Sequence, residues 1–420
     1  MSYSQCMTYT TLIVGGGIAG TLSAIALRKA GIGSVVYEAY DRDADNVGAF
    51  LTLAVNALDA LQTLDIDVRR IGFETPKMAL TSGSGKKLGE LQYGAPLPDG
   101  TVSRTVKRAD LYRLLREHAE RLGVRIEYGK RLVEAESDGD RVLARFADGS
   151  TAEGDLLIGA DGLWSRTREI IDPDAPGVRY SGLLNTGGYA HGVRTDAEPG
   201  VMCAIFGRYA FFMHLTHPDG EVWWAANPAR KVEPTRAELS AISPQEWRAH
   251  LLELFRHDDG PAADLIAASD KIFSAWKTYD VPTVPRWHRN RMIVIGDAAH
   301  ATAPSIGQGA GMAIEDTVVL AKCLRDSPDV SSAFTAYERL RRERVQRVVA
   351  QGNRTGGWKG LGPVARIPRD FIMAAALKRM ARRGEDPSRW IYDYRIDWDQ
   401  PVRAGTCPVE AGPWRVHRRL

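Results

Sequence analysis

A short apolar run, Thr11-Leu12-Ile13-Val14, leads directly into Gly15-Gly16-Gly17-Ile18-Ala19-Gly20. Thr21 to Ala30 then reads as a helix, apolar on one side, and Ser34 to Tyr37 as a second strand with Glu38 at its end. Gly15, Gly17 and Gly20 fill the pattern G-x-G-x-x-G, and Glu38 follows Gly20 by 18 residues, close to the spacing of about 20 in dinucleotide-binding units. The physics of that unit is specific. Gly15 makes the tight turn, Gly17 lets a pyrophosphate approach the main chain, and Gly20 lets helix pack on strand. The helix N-terminus, at Ile18 and Ala19, offers free N–H groups to the phosphates. Glu38 accepts from the adenosine ribose, with Ala39 beside it, and its charge would repel a 2′-phosphate. A strand, helix and strand in this order commit the chain to an α/β fold with a Rossmann-like sheet.

A second glycine-rich stretch lies far downstream. Gly296 to Gly311 reads GDAAHATAPSIGQGAG, after the apolar run Met292 to Ile295 and before a helical segment, Met312 to Leu324. Asp297 stands at the strand end, where a carboxylate can bond a sugar hydroxyl. Gly307, Gly309 and Gly311 permit close approach of a flat ligand, and the following helix aims its positive end at it.

Between these stretches the chain changes character. Asn56 to Leu64 is read as a helix, 76 to 103 as a hairpin-like excursion, and 108 to 122 as a helix opened by Arg108. A cation at a helix start opposes the macrodipole and points to an anion nearby. Arg42 is a candidate for an adenine or phosphate contact. Leu156 to Gly159 is a buried strand ending in the turn Asp161-Gly162, with Ser165 a candidate helix cap. Residues 178 to 230 concentrate aromatics, among them Tyr189, Phe212, Trp223 and Trp224, and read as antiparallel sheet. Tyr189, Phe212 and Trp224 are the candidate substrate lining; each is equally accounted for as core. Residues 235 to 269, Ser332 to Ala350 and Ile367 to Arg383 read as helical.

The chain has 420 residues, 44% of them hydrophobic and 25% charged, with net charge +3. That charge is too small to imply a nucleic-acid partner. No apolar run reaches the roughly 18 residues that span a bilayer. The four cysteines, Cys6, Cys203, Cys323 and Cys407, are scattered and suggest free thiols in a cytoplasmic protein with no metal site.

Three motifs stand in one order: GGGIAG with Glu38, then Asp161-Gly162 continuing through Ser165 to Arg168 as D-G-x-x-S-x-x-R, then Gly296-Asp297 through Gly311. Together they resemble the single-component, class A flavoprotein monooxygenases, the aromatic-hydroxylase group that includes para-hydroxybenzoate hydroxylase, salicylate hydroxylase and the tetracycline-inactivating monooxygenases. The resemblance covers roughly residues 10 to 350. It implies a discontinuous FAD-binding domain of the GR2 type (1–75, 101–178 and 276–350), an inserted mixed or antiparallel substrate sheet (76–100 and 179–275), and a C-terminal helical segment and tail (351–420). Gly15, Gly17, Ile18, Ala19, Gly20, Glu38, Ala39 and Arg42 would hold the ADP half of FAD. Arg108 would reach the phosphates or flavin edge. Asp161 and Gly162 would serve FAD and the transient nicotinamide, with Arg168 steadying that turn. Asp297 would bond hydroxyls of the sugar chain. Gly307, Gln308, Gly309, Ala310 and Gly311 would lie along the ring, with Pro304 at its reacting edge. One departure is visible: Phe50 stands where the family usually has a small glycine, and Val55 where a proline is frequent.

The implied reaction uses NADH or NADPH to reduce non-covalently bound FAD, and molecular oxygen to form a C4a-hydroperoxide that hydroxylates an aromatic or polycyclic small molecule. Biosynthesis of a natural product or aromatic catabolism would be its setting. If the substrate is a phenol, His214, His191 or Tyr189 could act as base, His214 being the catalytic candidate beside Pro304. Alternatives are an alkene epoxidase, or a reductase or halogenase on the same scaffold, although the W-x-W-x-I-P arrangement of halogenases is absent at Trp223-Trp224. A non-enzymatic FAD-binding protein is the remaining alternative. A monomer or homodimer is expected.

Overall fold

The computed structural model describes residues 9–41, 49–304, 306–359, 365–384, 386 and 388–402. Arg42 lies outside them, as do Cys6 and Cys407. The fold is α/β, as the opening motif requires. Its first sheet has six strands in the order His288–Arg289, Met292–Val294, Leu156–Gly159, Thr10–Val14, Gly33–Tyr37 and Arg125–Glu127. All neighbours in it are parallel except the first pair. The three strands carrying the motifs are therefore side by side. Val14 pairs with both Tyr37 and Gly159, and Gly159 pairs with Val294. Strand ends separated by some 280 residues in the chain open on one edge of one sheet.

Those strands are almost fully apolar because both faces are covered, as expected of parallel sheet. The helix Ile18–Lys29 packs on this sheet and on the helix Gly309–Asp326. Most of the second helix is buried, including Glu315 and Asp316.

The second large sheet runs Ser269–Ile272, Arg179–Ala190, Val222–Pro228, Ala210–Thr216, Val201–Phe206, Lys77–Ser82 and Lys87–Gln92, with Trp276–Asp280 also pairing to Arg179–Ala190. It is mixed, because Val201–Phe206 and Lys77–Ser82 run parallel. The excursion at 76–103 supplies two of its strands. Side chains alternate between its faces. On the outer face, Phe212, Trp224 and Leu184 pack against Trp247, Leu251 and Phe255 of the helix Pro244–Phe255. On the inner face, Trp223, Leu215 and Met202 join the main core.

A small sheet, Phe50–Leu53, Arg104–Lys107 and Phe73–Glu74, lies between the two. Phe50 meets Trp223 across this seam, with ring centroids 5.7 Å apart. The segment 235–269, read as helical, is three helices and a strand start: Arg236–Ser240, Pro244–Phe255 and Ala262–Ala267. Two capping boxes, at Thr235 and Ser243, set the first two starts. The helix expected over Ser332–Ala350 runs longer, Val330–Lys359, and Arg366–Arg383 follows.

Candidate active site

Gly15 sits at φ +101, and a Cβ there would lie 2.4 Å from the Ala160 carbonyl oxygen. At Gly20 a Cβ would stand 1.7 Å from the Gly15 oxygen. Both are glycine because the protein itself leaves no room. Gly17 differs: a Cβ there would meet only Tyr112, at the ordinary distance of 3.8 Å. Gly17 is also the N-cap of its helix, with no side-chain cap and no acid in the first turn. A helix N-terminus left uncapped in front of open space is an anion site in waiting. Ile18 and Ala19 turn their side chains into protein, so their main chain alone faces it.

Tyr112 leads onward. Its hydroxyl accepts from Arg108 Nη2 at 2.7 Å. Arg108 opens the helix Arg108–Arg121. Surrounding protein desolvates its guanidinium, but Tyr112 and Asp297 outweigh this and raise its pKa. Arg108 nonetheless keeps solvent access, which marks the wall of a cleft rather than a core. Asp297 follows. It is exposed between fully buried neighbours, and among the described residues its carboxylate makes no hydrogen bond. Its position is imposed from both sides. Gly296 N–H donates to Asp316 Oδ2 at 2.9 Å, and the Ala298 carbonyl accepts from Arg168 Nη1 at 3.0 Å. Gly296 itself has φ +58, and a Cβ there would press on Ala313 and Ala19 at 3.2 and 3.3 Å.

The downstream loop closes the line. A Cβ on Gly309 would lie 4.0 Å from Asp297 Oδ1. Gly307, at φ +65, faces open space, and Pro304 is exposed. Like Ile18–Lys29, the helix Gly309–Asp326 starts with neither a side-chain cap nor an acid in its first turn. Gln308 is buried and accepts from Asn56 Nδ2 at 3.0 Å. Gly311 turns its missing Cβ toward Gln308, Asn56 and Ala57, so packing explains that glycine rather than ring contact through its side. Ala310 is half-buried against the core.

Glu38 is half-buried at its strand end, with Ala39 beside it. Its carboxylate accepts from Gly16 N–H at 2.5 Å and Tyr40 N–H at 2.9 Å. Each oxygen keeps a lone pair for a further donor. Asp161 is occupied differently. Its oxygens accept from Ser165 Oγ at 2.6 Å and from Thr167 N–H and Oγ1 at 2.9 and 3.0 Å. Burial raises its pKa, and those bonds partly offset the rise. Asp161 thus organises the start of the helix Arg166–Ile171, where Ser165 is the cap. Gly162, at φ +73, leaves open space. Arg168 steadies the turn through the carbonyls of Leu163 and Ala298, not through Asp161's oxygens.

Three expected residues are corrected by the strand alternation. Phe212, Trp224 and His214 lie on the outer face of the large sheet, under the helix Pro244–Phe255, away from the cleft. Trp224 is fully buried, stacks on Phe212 at 5.4 Å, and donates to Ser269 Oγ at 2.8 Å. His214 is 3% exposed, its Nδ1 has no partner, and burial pulls its pKa to about 4. These are core residues, and His214 cannot touch a ligand on the other face. His191 is exposed, 3.5 Å from Glu221.

Tyr189 does lie on the inner face. It pairs with Trp223, its ring 5.7 Å away, and Lys107 Nζ sits 4.5 Å from its centroid. Burial pushes its pKa to about 12, so at neutral pH its phenol is a hydrogen-bond donor rather than a base.

Some residues here carry no motif. Tyr112 is one; its spacing of four from Arg108 was the available sign. A buried ionic network under the loop is another. Asp316 takes His300 Nε2 at 2.6 Å and Arg341 Nε at 2.7 Å, while Glu315 takes Arg344 and Asn56, each at 2.7 Å. Adjacent acids inside an otherwise apolar helix were its signal.

Two uncapped helix ends, an arginine, and acids placed for hydroxyls form one continuous cradle from Gly17 to Gly307. That cradle on a Rossmann-like sheet defines a dinucleotide-binding flavoprotein, and its open helix starts and free acids suit FAD. The chain belongs to the FAD-binding-domain family, whose model matches residues 8–352. It is 31% identical over 369 residues to the FAD-dependent urate hydroxylase of Klebsiella pneumoniae, covering 82% of this chain and 88% of the relative. It is 31% identical over 412 residues to a 3-amino-4-hydroxybenzoate 2-monooxygenase of Streptomyces platensis, covering 91% and 95%. The solved structure of Klebsiella pneumoniae HpxO with FAD and uric acid superposes with a TM-score of 0.77 at 26% identity, covering 91% of this chain and 95% of that one. The protein is an FAD-dependent monooxygenase that takes its electrons from NAD(P)H. Among the described residues no helix is long and apolar enough to cross a membrane.

Proposed function

We propose that this enzyme hydroxylates an aromatic or polycyclic small molecule held between the loop at Thr302–Gly309 and the inner face of the large sheet. The carrying observation is the line Gly17, Tyr112, Arg108, Asp297, Gly309, which runs from one uncapped helix start to another. When bound, FAD supplies hydride acceptance and oxygen activation. The overall balance is NAD(P)H, a proton, O₂ and substrate to NAD(P)⁺, water and hydroxylated substrate. The residues do the rest. The helix end at Gly17 and Arg108 hold the phosphates. Asp297 accepts from the sugar chain. The helix end at Gly309 would favour negative charge on a ring bound beside it. Phe50, Trp223 and Tyr189 wall the substrate side and exclude water. Relatives named for urate and for an aminohydroxybenzoate support an aromatic substrate. The division into a discontinuous FAD part and an inserted substrate sheet, a monomer or homodimer, and a cytoplasmic setting belong to the same reading. Cys203 and Cys323 as free thiols support that setting.

Purified protein given FAD, NADH or NADPH and air tests the reading. Oxygen uptake should rise with an aromatic substrate whose mass grows by one oxygen. Anaerobic nicotinamide oxidation with matching reduction of the substrate would instead make it a reductase.

A further inference from the structure

Lys359 closes the helix Val330–Lys359 and is 8% exposed. Its Nζ lies 4.1 Å from the centroid of Phe211 and donates to Asn227 Oδ1 at a long 3.3 Å. Among the described residues it forms no ion pair. A buried ammonium is normally paired. The other buried cation nearby, Arg369, bonds the Trp358 carbonyl and is already paired with Asp370 at 2.7 Å. Burial pulls the Lys359 pKa only to about 8, so at neutral pH it is mostly charged.

Its place in the fold says what the charge faces. Phe211 and Asn227 pair directly across their strands, and both alternate with the outer-face residues Phe212 and Ala226. They therefore share the inner face with Trp223 and Tyr189. Asn227 Nδ2 is engaged by Asn185 Oδ1 at 3.1 Å, which leaves its own Oδ1 turned to the lysine. Gly352 stands seven residues before Lys359, two turns and about 10 Å back on the same helical face. A Cβ on Gly352 would lie 3.2 Å from Thr302 Oγ1 and 3.7 Å from Ile306. One face of one helix thus touches the ring-side loop at Gly352 and the inner sheet face at Lys359.

We propose that Lys359 is the anion anchor of the substrate site, and that the substrate is an aromatic carboxylate. Its acid end lies at Lys359, which has donors left beyond its long bond to Asn227 Oδ1, and its ring lies toward the Thr302–Gly309 loop. A carboxylate is inferred rather than a phenolate because the anchor sits at the end away from the loop, so it holds a distal charge and not the reacting hydroxyl. The proposal rests on the hydroxylase reading for the location of the ring.

Benzoate and benzamide are matched probes that differ in charge. FAD-loaded wild type, Lys359→Met, Lys359→Gln and Lys359→Arg are titrated with each, and binding is read from the change in flavin absorbance. FAD content and melting temperature check the fold of each variant. Wild type should bind benzoate roughly 10-fold to 100-fold tighter than benzamide, the worth of a charge-assisted hydrogen bond. Lys359→Met and Lys359→Gln should erase that ratio, and Lys359→Arg should keep part of it. With a turnover substrate the loss should fall on KM more than on kcat. The proposal is overturned if wild type binds benzamide as well as benzoate, or if the benzoate preference survives in Lys359→Met. The ratio is internal to each preparation, so a partly misfolded variant still reports it. Binding needs no turnover. Benzoate held through Lys359 without oxygen transfer would sink the hydroxylase reading alone; turnover of neutral aromatics with no preference for acids would sink this one alone.

Discussion

Gly17 and Gly20 stand three residues apart in one motif and meet opposite surroundings. Gly20→Ala would drive its Cβ into the Gly15 carbonyl oxygen, 1.7 Å away, and should lower the melting temperature and abolish flavin uptake. Gly17→Ala meets no protein atom closer than 3.8 Å. Its stability should stay within ~1 kcal/mol of wild type, while FAD affinity falls by about tenfold or more. Equal thermal melts with unchanged flavin titration would remove Gly17 from the phosphate site. His214 carries a different prediction. Its folded pKa, about 4, lies below the ordinary value near 6.5. The unfolded chain therefore takes up the proton first, and stability is full above pH 6.5 and falls as the pH drops toward 4. Wild type should lose roughly 2 kcal/mol between pH 7.5 and pH 5 from this group. His214→Leu should keep that stability and retain turnover. Urea titrations at the two pH values decide it; lost turnover in a folded variant would restore His214 as a catalytic candidate.

At the scale of elements, the helix Gly309–Asp326 carries both the ring-side N-terminus and the acids that anchor the loop before it. Burial opposes ionisation of Asp316, but His300 and Arg341 outweigh it and hold the pKa at about 2. Arg341 is wholly buried between Asp316 and Glu315, its Nη1 lying 2.7 Å from Glu315 without hydrogen-bond alignment. Arg341→Met leaves one carboxylate short of a cation and should cost about 3–5 kcal/mol, measured by chemical denaturation. Adding Asp316→Asn should recover part of that cost, since the uncompensated charge is gone. A single variant within ~1 kcal/mol of wild type would show the network to be dispensable.

At the scale of the molecule, Phe50 of the small sheet against Trp223 of the large one is the aromatic seam between the two. Phe50→Ala should open that seam to water and raise the hydrogen peroxide released per NAD(P)H oxidised several-fold, read by a peroxide assay during turnover. Unchanged coupling would place the water barrier elsewhere. The fold class and the cradle could be read in the chain because they rest on local rules. Glycines at Gly15 and Gly20 answer to steric contacts within one strand–turn–helix unit, and Asp297 follows a buried strand end. Helix lengths were less legible: Val330–Lys359 outran its charged pattern, and in its last turns only Gly352 and Lys359 are buried. The two faces of the aromatic sheet could not be told apart at all. Tyr189, Phe212 and Trp224 are equally apolar strand residues, and only the packing of Pro244–Phe255 on one side decides that Phe212 and Trp224 are buried beneath it while Tyr189 lies on the opposite, inner face. Lys359 was invisible for the same reason. Its chemistry lies in what a charge is buried against, and that is a property of elements brought together from distant parts of the chain. The sequence by itself determined an α/β dinucleotide cradle, because backbone sterics and helix ends are local. Which side chains face the ring was decided by the tertiary structure, because a face exists only once another layer covers its opposite.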